Sequence, residues 1–324
     1  MGGGKKGAPG GLVTGSGELN ETASAVDLPA RLPARVPDAY HARMRQQRNG
    51  ARELGLVVAV LAVSAHFVDG MPLWVATVLI VAATVSGVSH LLGEWRPWRI
   101  APERLVLPAL AAFSVVGIAH VFAPVPWLAF VFVGTWLLMA WVVELETADS
   151  PTQPTPVAAS DDVSTEAGAS ESLADNHGRP FSVRVGALGI AFLAFAAVGG
   201  FVPGGLAGDG KTLTAPTLVA TIALDLLIGG LAGYRIAALL PHSRREGLVA
   251  FYQYALAAGH IGGFLRVLAL PRLFGPALLT LLLYLVTGFR ESPKPIRQSR
   301  RLLEESGLLM LAGAAAVLWG LLAK

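Results

Sequence analysis

Long apolar runs, separated by short polar segments that hold most of the arginine, most constrain how this chain of 324 residues can fold. Hydrophobic residues make up 53% of it and charged residues only 15%. A water-soluble domain carries about a quarter charged residues. The composition therefore predicts a multi-pass membrane protein and excludes secreted, fibrous and nucleic-acid-binding classes. The absence of cysteine excludes a disulfide framework, an iron–sulfur cluster and a thiol nucleophile.

The apolar runs have the length of membrane-spanning helices. A helix needs about 20 mainly apolar residues to cross a hydrocarbon core of about 30 Å. Such segments lie at 54–69, 72–92, 105–122, 125–145, 182–203, 215–240, 247–270, 273–289 and 306–323. The first is short and the eighth shortens further if it begins at Pro276, so eight or nine spans are admissible, and we predict nine. The expected fold is an all-α, polytopic integral membrane helical bundle.

Polar segments divide the chain into four parts. Residues 1–52 are predicted to be a disordered cytoplasmic tail with a short basic helix beside the membrane, and 53–145 a bundle of four transmembrane helices. Residues 146–181 are acidic and proline-containing, which predicts a flexible cytoplasmic linker. Residues 182–324 form a second bundle of five helices. The linker is interpreted as a solvated tether, and binding of a basic protein partner is the alternative.

The positions of the basic residues predict the orientation. With a cytoplasmic N-terminus, seventeen Arg and Lys residues near span ends lie inside and four outside. This bias predicts a plasma-membrane protein with its N-terminus in the cytoplasm and its C-terminus outside. Interfacial anchors are expected just after the second span, where tryptophan and arginine meet lipid headgroups: Trp95, Arg96, Trp98 and Arg99.

A short pattern occurs twice in the first half of the chain. Ala-His stands at 65–66 and again at 119–120, and a proline follows at Pro72 and at Pro126, all with an offset of 54. The pattern favours a fold built from repeated two-helix hairpins. Chance similarity between apolar segments is the alternative.

Ionisable residues at membrane depth are costly and are therefore candidates for function. Asp225 lies near the middle of the sixth span, and His260 lies a little outward of the centre of the seventh. Gln253 is two helical turns before His260 and shares its face. These three residues are the candidate substrate or proton pathway, and a contact between Asp225 and His260 is geometrically feasible. The alternative is a buried polar contact that only fixes helix packing.

His66 and His120, the repeat-related histidines, are both predicted at outer helix ends. Two histidines at one depth on neighbouring helices are candidate haem or metal ligands. The alternative is structural, because a histidine at a helix C-terminus hydrogen-bonds free carbonyl groups. The sequence does not identify a cofactor, and none is expected.

Small residues spaced by four predict close packing of the sixth and seventh spans. The glycines concerned are Gly229, Gly233, Gly259 and Gly263.

Three functions remain open. The sequence contains no Walker A loop, no His-Glu-x-x-His motif and no Gly-x-Ser-x-Gly motif, so an enzyme is not expected. The leading hypothesis is a small-solute or proton-coupled permease with Asp225 and His260 at its centre. The alternatives are a scaffold or assembly subunit of a larger membrane complex, and a redox subunit with haem or metal on His66 and His120. The lipid bilayer is the one expected partner besides a ligand of the linker, and nucleic acid is excluded.

Overall fold

Each apolar segment of the sequence forms an α-helix, as a chain in lipid must do to pair its backbone N–H and C=O groups internally. The computed structural model describes residues 38–94, 97, 100–122, 125–148, 166–202, 214–239, 244–268, 270, 273–291 and 300–322. The helices are α1 (Asp38–Ala65), α2 (Met71–Leu91), α3 (Glu103–Phe122), α4 (Leu128–Ala148), α5 (Glu166–Phe201), α6 (Ala215–Ala237), α7 (Arg244–Val267), α8 (Phe274–Glu291) and α9 (Arg300–Leu322). No strand occurs within these ranges, and the predicted all-α fold is confirmed.

Six of the helices are long and apolar enough to cross a membrane: α2, α3, the segment Val125–Thr147 that includes α4, Phe181–Phe201 of α5, α6 and α7. The apolar segment Phe274–Arg290 of α8 is shorter. The last 18 residues of α1 include three charged residues, Arg48, Arg52 and Glu53, whereas each of the six spans has an apolar stretch of this length with at most two. Six apolar helices indicate a multi-pass membrane protein, with six of the nine predicted spans clear by length and composition.

Helices α3 and α5 form the centre of the bundle. In the most apolar stretch of each helix, 61% of the residues of α3 and 56% of those of α5 are buried, against 28% to 39% in the other four spans. Gly117 of α3 and Gly200 of α5 bring the two backbones together, because a Cβ atom on either glycine would overlap the other helix. This contact joins the two predicted bundles, and Ala42–Lys324 forms one compact unit.

The helices at the two polar segments are longer than the sequence predicted. Helix α1 begins at Asp38, where the short basic helix was expected, and continues without a break through the first apolar segment to Ala65; residues 1–37 lie outside the described part of the chain. The linker prediction began at 146, but α4 continues to Ala148 and α5 begins at Glu166. Alanine, glutamate and leucine in the first turns of α5 favour a helix, which explains the earlier start. Residues 149–165 are not described.

Helix starts follow the proline signals only in part. Pro72 and Pro216 lie in the first turns of α2 and α6, where the missing N–H has no partner to lose. Pro126, the repeat equivalent of Pro72, instead lies in a short 3-10 helix, Val125–Trp127, ahead of α4. The two hairpins therefore begin their second helices differently.

Candidate functional site

Asp225 lies in the middle of α6 and is completely buried. The register of α6 is fixed at its start, where Thr214 and Thr217 form a capping box and the Thr214 N–H donates to Thr217 Oγ1 at 2.8 Å. Asp225 is ten residues beyond Ala215, or about 15 Å along the helix axis at about 1.5 Å per residue. That is about half of a hydrocarbon core of about 30 Å, so the carboxylate is at membrane depth.

Arg266, in the last turn of α7, is the partner of this carboxylate. Its Nη2 lies 3.1 Å from Asp225 Oδ1, and its Nε lies 3.4 Å from Oδ2. The same Nη2 donates to the carbonyl oxygen of Phe195 in α5 at 3.3 Å. The side chain of Arg266 is only 6% exposed. The guanidinium therefore contacts both carboxylate oxygens and joins three helices at one buried point.

Glycines allow α6 and α7 to approach closely enough for this pair. A Cβ atom on Gly262 would lie 2.6 Å from Asp225 Oδ2, so only glycine leaves room for the carboxylate. The four glycines that the sequence predicted as packing residues also lie at the α6–α7 contact: Gly229, Gly233, Gly259 and Gly263. The sequence pattern did not select Gly262, although it lies beside Gly263.

His260 does not contact Asp225 in this arrangement. It is exposed, and its Nδ1–H donates to the Leu256 carbonyl oxygen of its own helix at 2.8 Å. The glycines at 259 and 262 face α6, and with 3.6 residues per turn a side chain at 260 points away from that face. The predicted contact between Asp225 and His260 is therefore absent, and Asp225 pairs with Arg266 instead.

Gln253 also lies away from Asp225. It shares the exposed face of α7 with His260, as the helical spacing predicted. Its Oε1 accepts from Arg290 Nη1 at 3.5 Å, in an open groove of about 470 Å³ between α7 and α8. Val249 and Val286 contribute apolar walls to this groove. The three residues proposed as one pathway thus divide into a buried carboxylate and an exposed polar pair.

A second buried ion pair joins α4 to α6. Arg235 Nε and Nη2 each donate to one carboxylate oxygen of Glu146, both at 3.0 Å. The two side chains are 2% and 0% exposed. The sequence interpretation placed Glu146 in the solvated linker and counted Arg235 among the seventeen basic residues on the cytoplasmic side. Glu146 is instead part of the bundle, because α4 continues past the predicted end of the fourth span, and Arg235 is buried beside it.

The arginines of the two buried pairs had a detectable sequence signal. Arg235 and Arg266 are the basic residues in the last turns of α6 and α7. An arginine within one turn of the end of an apolar helix can reach several ångströms inward along its own stem. The sequence interpretation treated both arginines as charges in the loops and therefore did not consider them as partners for acids within the spans.

His66 and His120 adjoin each other where α1 and α3 end. Their ring centroids are 6.1 Å apart, with 60° between the planes. His66 Nδ1–H donates to the Ala119 carbonyl oxygen at 2.8 Å, and His120 Nε2 lies 3.2 Å from Asp69 Oδ1. The alternative to metal ligation was that a histidine at a helix end bonds a free carbonyl group. The bond to Ala119 is of this kind, since its carbonyl belongs to the last turn of α3. The predicted anchors Trp95, Arg96, Trp98 and Arg99 lie outside the described residues.

Comparisons with protein-family models, with curated proteins and with solved structures find no match to this chain. Across the ranges that the structure describes, no three or more His, Cys, Asp or Glu residues are grouped to hold a metal ion. The geometry of the side chains themselves is therefore the basis for assigning a function.

Proposed function

We propose that this protein is a proton-coupled permease for a small solute and that Asp225 with Arg266 forms its coupling site. The observation that carries the proposal is a carboxylate–guanidinium pair buried between apolar helices at membrane depth. Charged residues in such positions are costly and mark ion, proton or substrate pathways. Packing alone needs no such pair, because apolar residues of similar volume often stabilise a buried site as well or better.

The chemistry of the pair suggests how a proton and a solute are coupled. Protonation of Asp225 removes its negative charge, while the guanidinium of Arg266 keeps its positive charge. Arg266 keeps its bond to the neutral Phe195 carbonyl, and its planar guanidinium suits the oxygens of a carboxylate or phosphate group. A small anionic solute is therefore the expected substrate class, and it replaces Asp225 as the counter-ion when the proton arrives.

The same proposal includes an orientation in the membrane. The distribution of Arg and Lys near the span ends supports a plasma-membrane protein with a cytoplasmic N-terminus and an external C-terminus. In this orientation, Arg266 lies at the outer end of α7 and Arg235 at the cytoplasmic end of α6. Arg266 then approaches Asp225 from the outer side of the membrane, and we propose that the proton and the solute enter from that side.

The scaffold alternative has less support. It depended on glycine faces that remain open to a partner, but Gly229, Gly233, Gly259 and Gly263 are covered within the bundle by the α6–α7 contact. Binding of a partner to the acidic linker stays a prediction from the sequence.

Proteoliposomes loaded with a pH-sensitive dye test the permease. Small carboxylates, phosphate, sulfate, a neutral sugar and zwitterionic amino acids are added outside, with protein-free liposomes as the baseline. We expect at least one anionic solute to acidify the lumen faster with the wild-type protein, and Asp225→Asn to abolish this difference. The matched control is Glu144→Gln, which removes the acid of an exposed pair with Arg48.

Two outcomes contradict the proposal. One is that no solute acidifies wild-type proteoliposomes faster than protein-free ones. The other is that Asp225→Asn acidifies them as fast as the wild type and Glu144→Gln do. Acidification by a neutral solute, lost in Asp225→Asn, supports the coupling site but contradicts the anionic substrate class.

A further inference from the structure

The two histidines at the ends of α1 and α3 form a second constellation, separate from the coupling site. His66 follows the end of α1, and His120 lies in the last turn of α3. Both side chains are half-buried, and their rings are 6.1 Å apart. Asp69, in the turn between α1 and α2, is the third member, with a side chain that is 90% exposed.

The hydrogen bonds define the tautomer of each ring. A carbonyl oxygen only accepts, so His66 Nδ1 carries the proton that it donates to Ala119, and in the neutral ring Nε2 keeps its lone pair. An ionised carboxylate likewise only accepts, so His120 Nε2–H donates to Asp69. The remaining nitrogen, His120 Nδ1, is buried and has no hydrogen-bond partner among the described residues.

This pattern is typical of metal-ligating histidines. Such a histidine donates one ring N–H to a carbonyl or carboxylate group, which orients the ring and raises the basicity of the other nitrogen. His66 donates to the carbonyl oxygen of Ala119, and His120 donates to the carboxylate of Asp69. A buried imidazole nitrogen without a partner is unfavourable unless something binds to its lone pair.

We propose that His66 and His120 bind a divalent first-row transition-metal ion, such as Zn²⁺ or Cu²⁺, with His66 Nε2 and His120 Nδ1 as ligands. Imidazole nitrogen suits these ions, and water completes the coordination shell. Asp69 orients His120 from outside the ligand set. The direct bond from the His66 ring to the residue before His120 favours a bare ion over a haem, because a porphyrin would have to lie between the rings.

Metal titration of the purified full chain, prepared with a tag that lacks histidine and stripped with a chelator, tests this site. We expect about one Cu²⁺ per chain, with nitrogen hyperfine structure in the electron paramagnetic resonance spectrum and competition by Zn²⁺. His66→Ala and His120→Ala should abolish this binding. Asp69→Asn should weaken it about 10–100-fold, as loss of an outer-shell partner does elsewhere.

His260→Ala is the matched control, because His260 also donates Nδ1–H to a backbone carbonyl but has no second histidine beside it in the described structure. It should bind Cu²⁺ as the wild type does. The inference is overturned if the wild-type protein binds no Cu²⁺ with nitrogen ligation, or if His260→Ala loses as much binding as His120→Ala. If a histidine variant does not fold, Asp69→Asn still tests the site, because Asp69 is exposed and its substitution leaves the packing intact. Unchanged affinity for Cu²⁺ in this variant contradicts the role assigned to Asp69.

Discussion

Asp225 and Arg266 form a bidentate salt bridge between α6 and α7, with Nη2–Oδ1 and Nε–Oδ2 distances of 3.1 and 3.4 Å. The carboxylate is fully buried and the arginine side chain almost so. Each charge is tolerated at this depth because the other is present. This mutual dependence makes the pair testable by single and double substitution.

Asp225→Asn should destabilise the protein strongly, because it removes the buried carboxylate whose two oxygens contact the guanidinium of Arg266. The expected loss in the free energy of unfolding is about 3–5 kcal/mol, measured by titration with SDS. The double variant Asp225→Asn with Arg266→Gln replaces the ion pair by a neutral amide pair and should recover most of that loss. A single variant that loses less than about 1 kcal/mol would show that the two charges do not depend on each other.

Gly262→Ala should destabilise the α6–α7 contact. The added Cβ atom would lie 2.6 Å from Asp225 Oδ2, so either the carboxylate or the backbone of α7 must shift. Overpacking of this kind costs about 1–3 kcal/mol in the free energy of unfolding. Gly189→Ala is the control, because a Cβ atom there meets nothing within 4 Å. Equal stability of the two variants would contradict the close approach of Gly262 to the carboxylate.

Glu146→Gln should be much more harmful than Glu144→Gln, although the two acids are two residues apart in α4. Glu146 is buried against Arg235, whereas the Arg48–Glu144 pair is largely exposed. Loss of the buried acid should cost about 3–5 kcal/mol and loss of the exposed one about 1 kcal/mol or less. Thermal unfolding followed by tryptophan fluorescence measures the order. The reverse order would place the end of α4 in solvent, as the linker prediction had it.

The absence of cysteine makes the orientation easy to measure. Single cysteines at Met71, exposed at the start of α2, and at Arg245, exposed at the start of α7, can be labelled in intact cells with a membrane-impermeant maleimide. We expect labelling at 71 from outside and at 245 only after the membrane is opened. Labelling of 245 but not 71 in intact cells would reverse the orientation.

The helices could be predicted from the sequence, whereas the pairing of charges could not. Apolar runs of span length have few alternatives to a helix in lipid, so every segment was found, although α1 and α5 begin at Asp38 and Glu166, well before the predicted 54 and 182. Asp225 was recognised because an acid stands out in such a run. Its partner lies 41 residues away in the last turn of another helix, and that choice depends on how the helices pack.

The position of His260 could have been deduced from the glycines. If Gly259 and Gly263 face α6, the side chain one residue after Gly259 is turned away from that contact by about 100°. The pairing of His66 with His120 was recognised because both follow the same short pattern. The ion pair of Glu146 with Arg235 was missed, since the predicted span ended at 145, three residues before the end of α4, and this placed the acid in the linker.

Lumen acidification by the double variant Asp225→Asn with Arg266→Gln tests the central claim most directly. This variant separates function from packing, because it keeps a polar contact between α6 and α7 but can neither carry the proton on Asp225 nor offer the charge of Arg266. The permease account predicts a stable protein whose solute-dependent acidification falls to the rate of protein-free liposomes. Acidification at the wild-type rate in the stable double variant would contradict it and leave the salt bridge as a packing device.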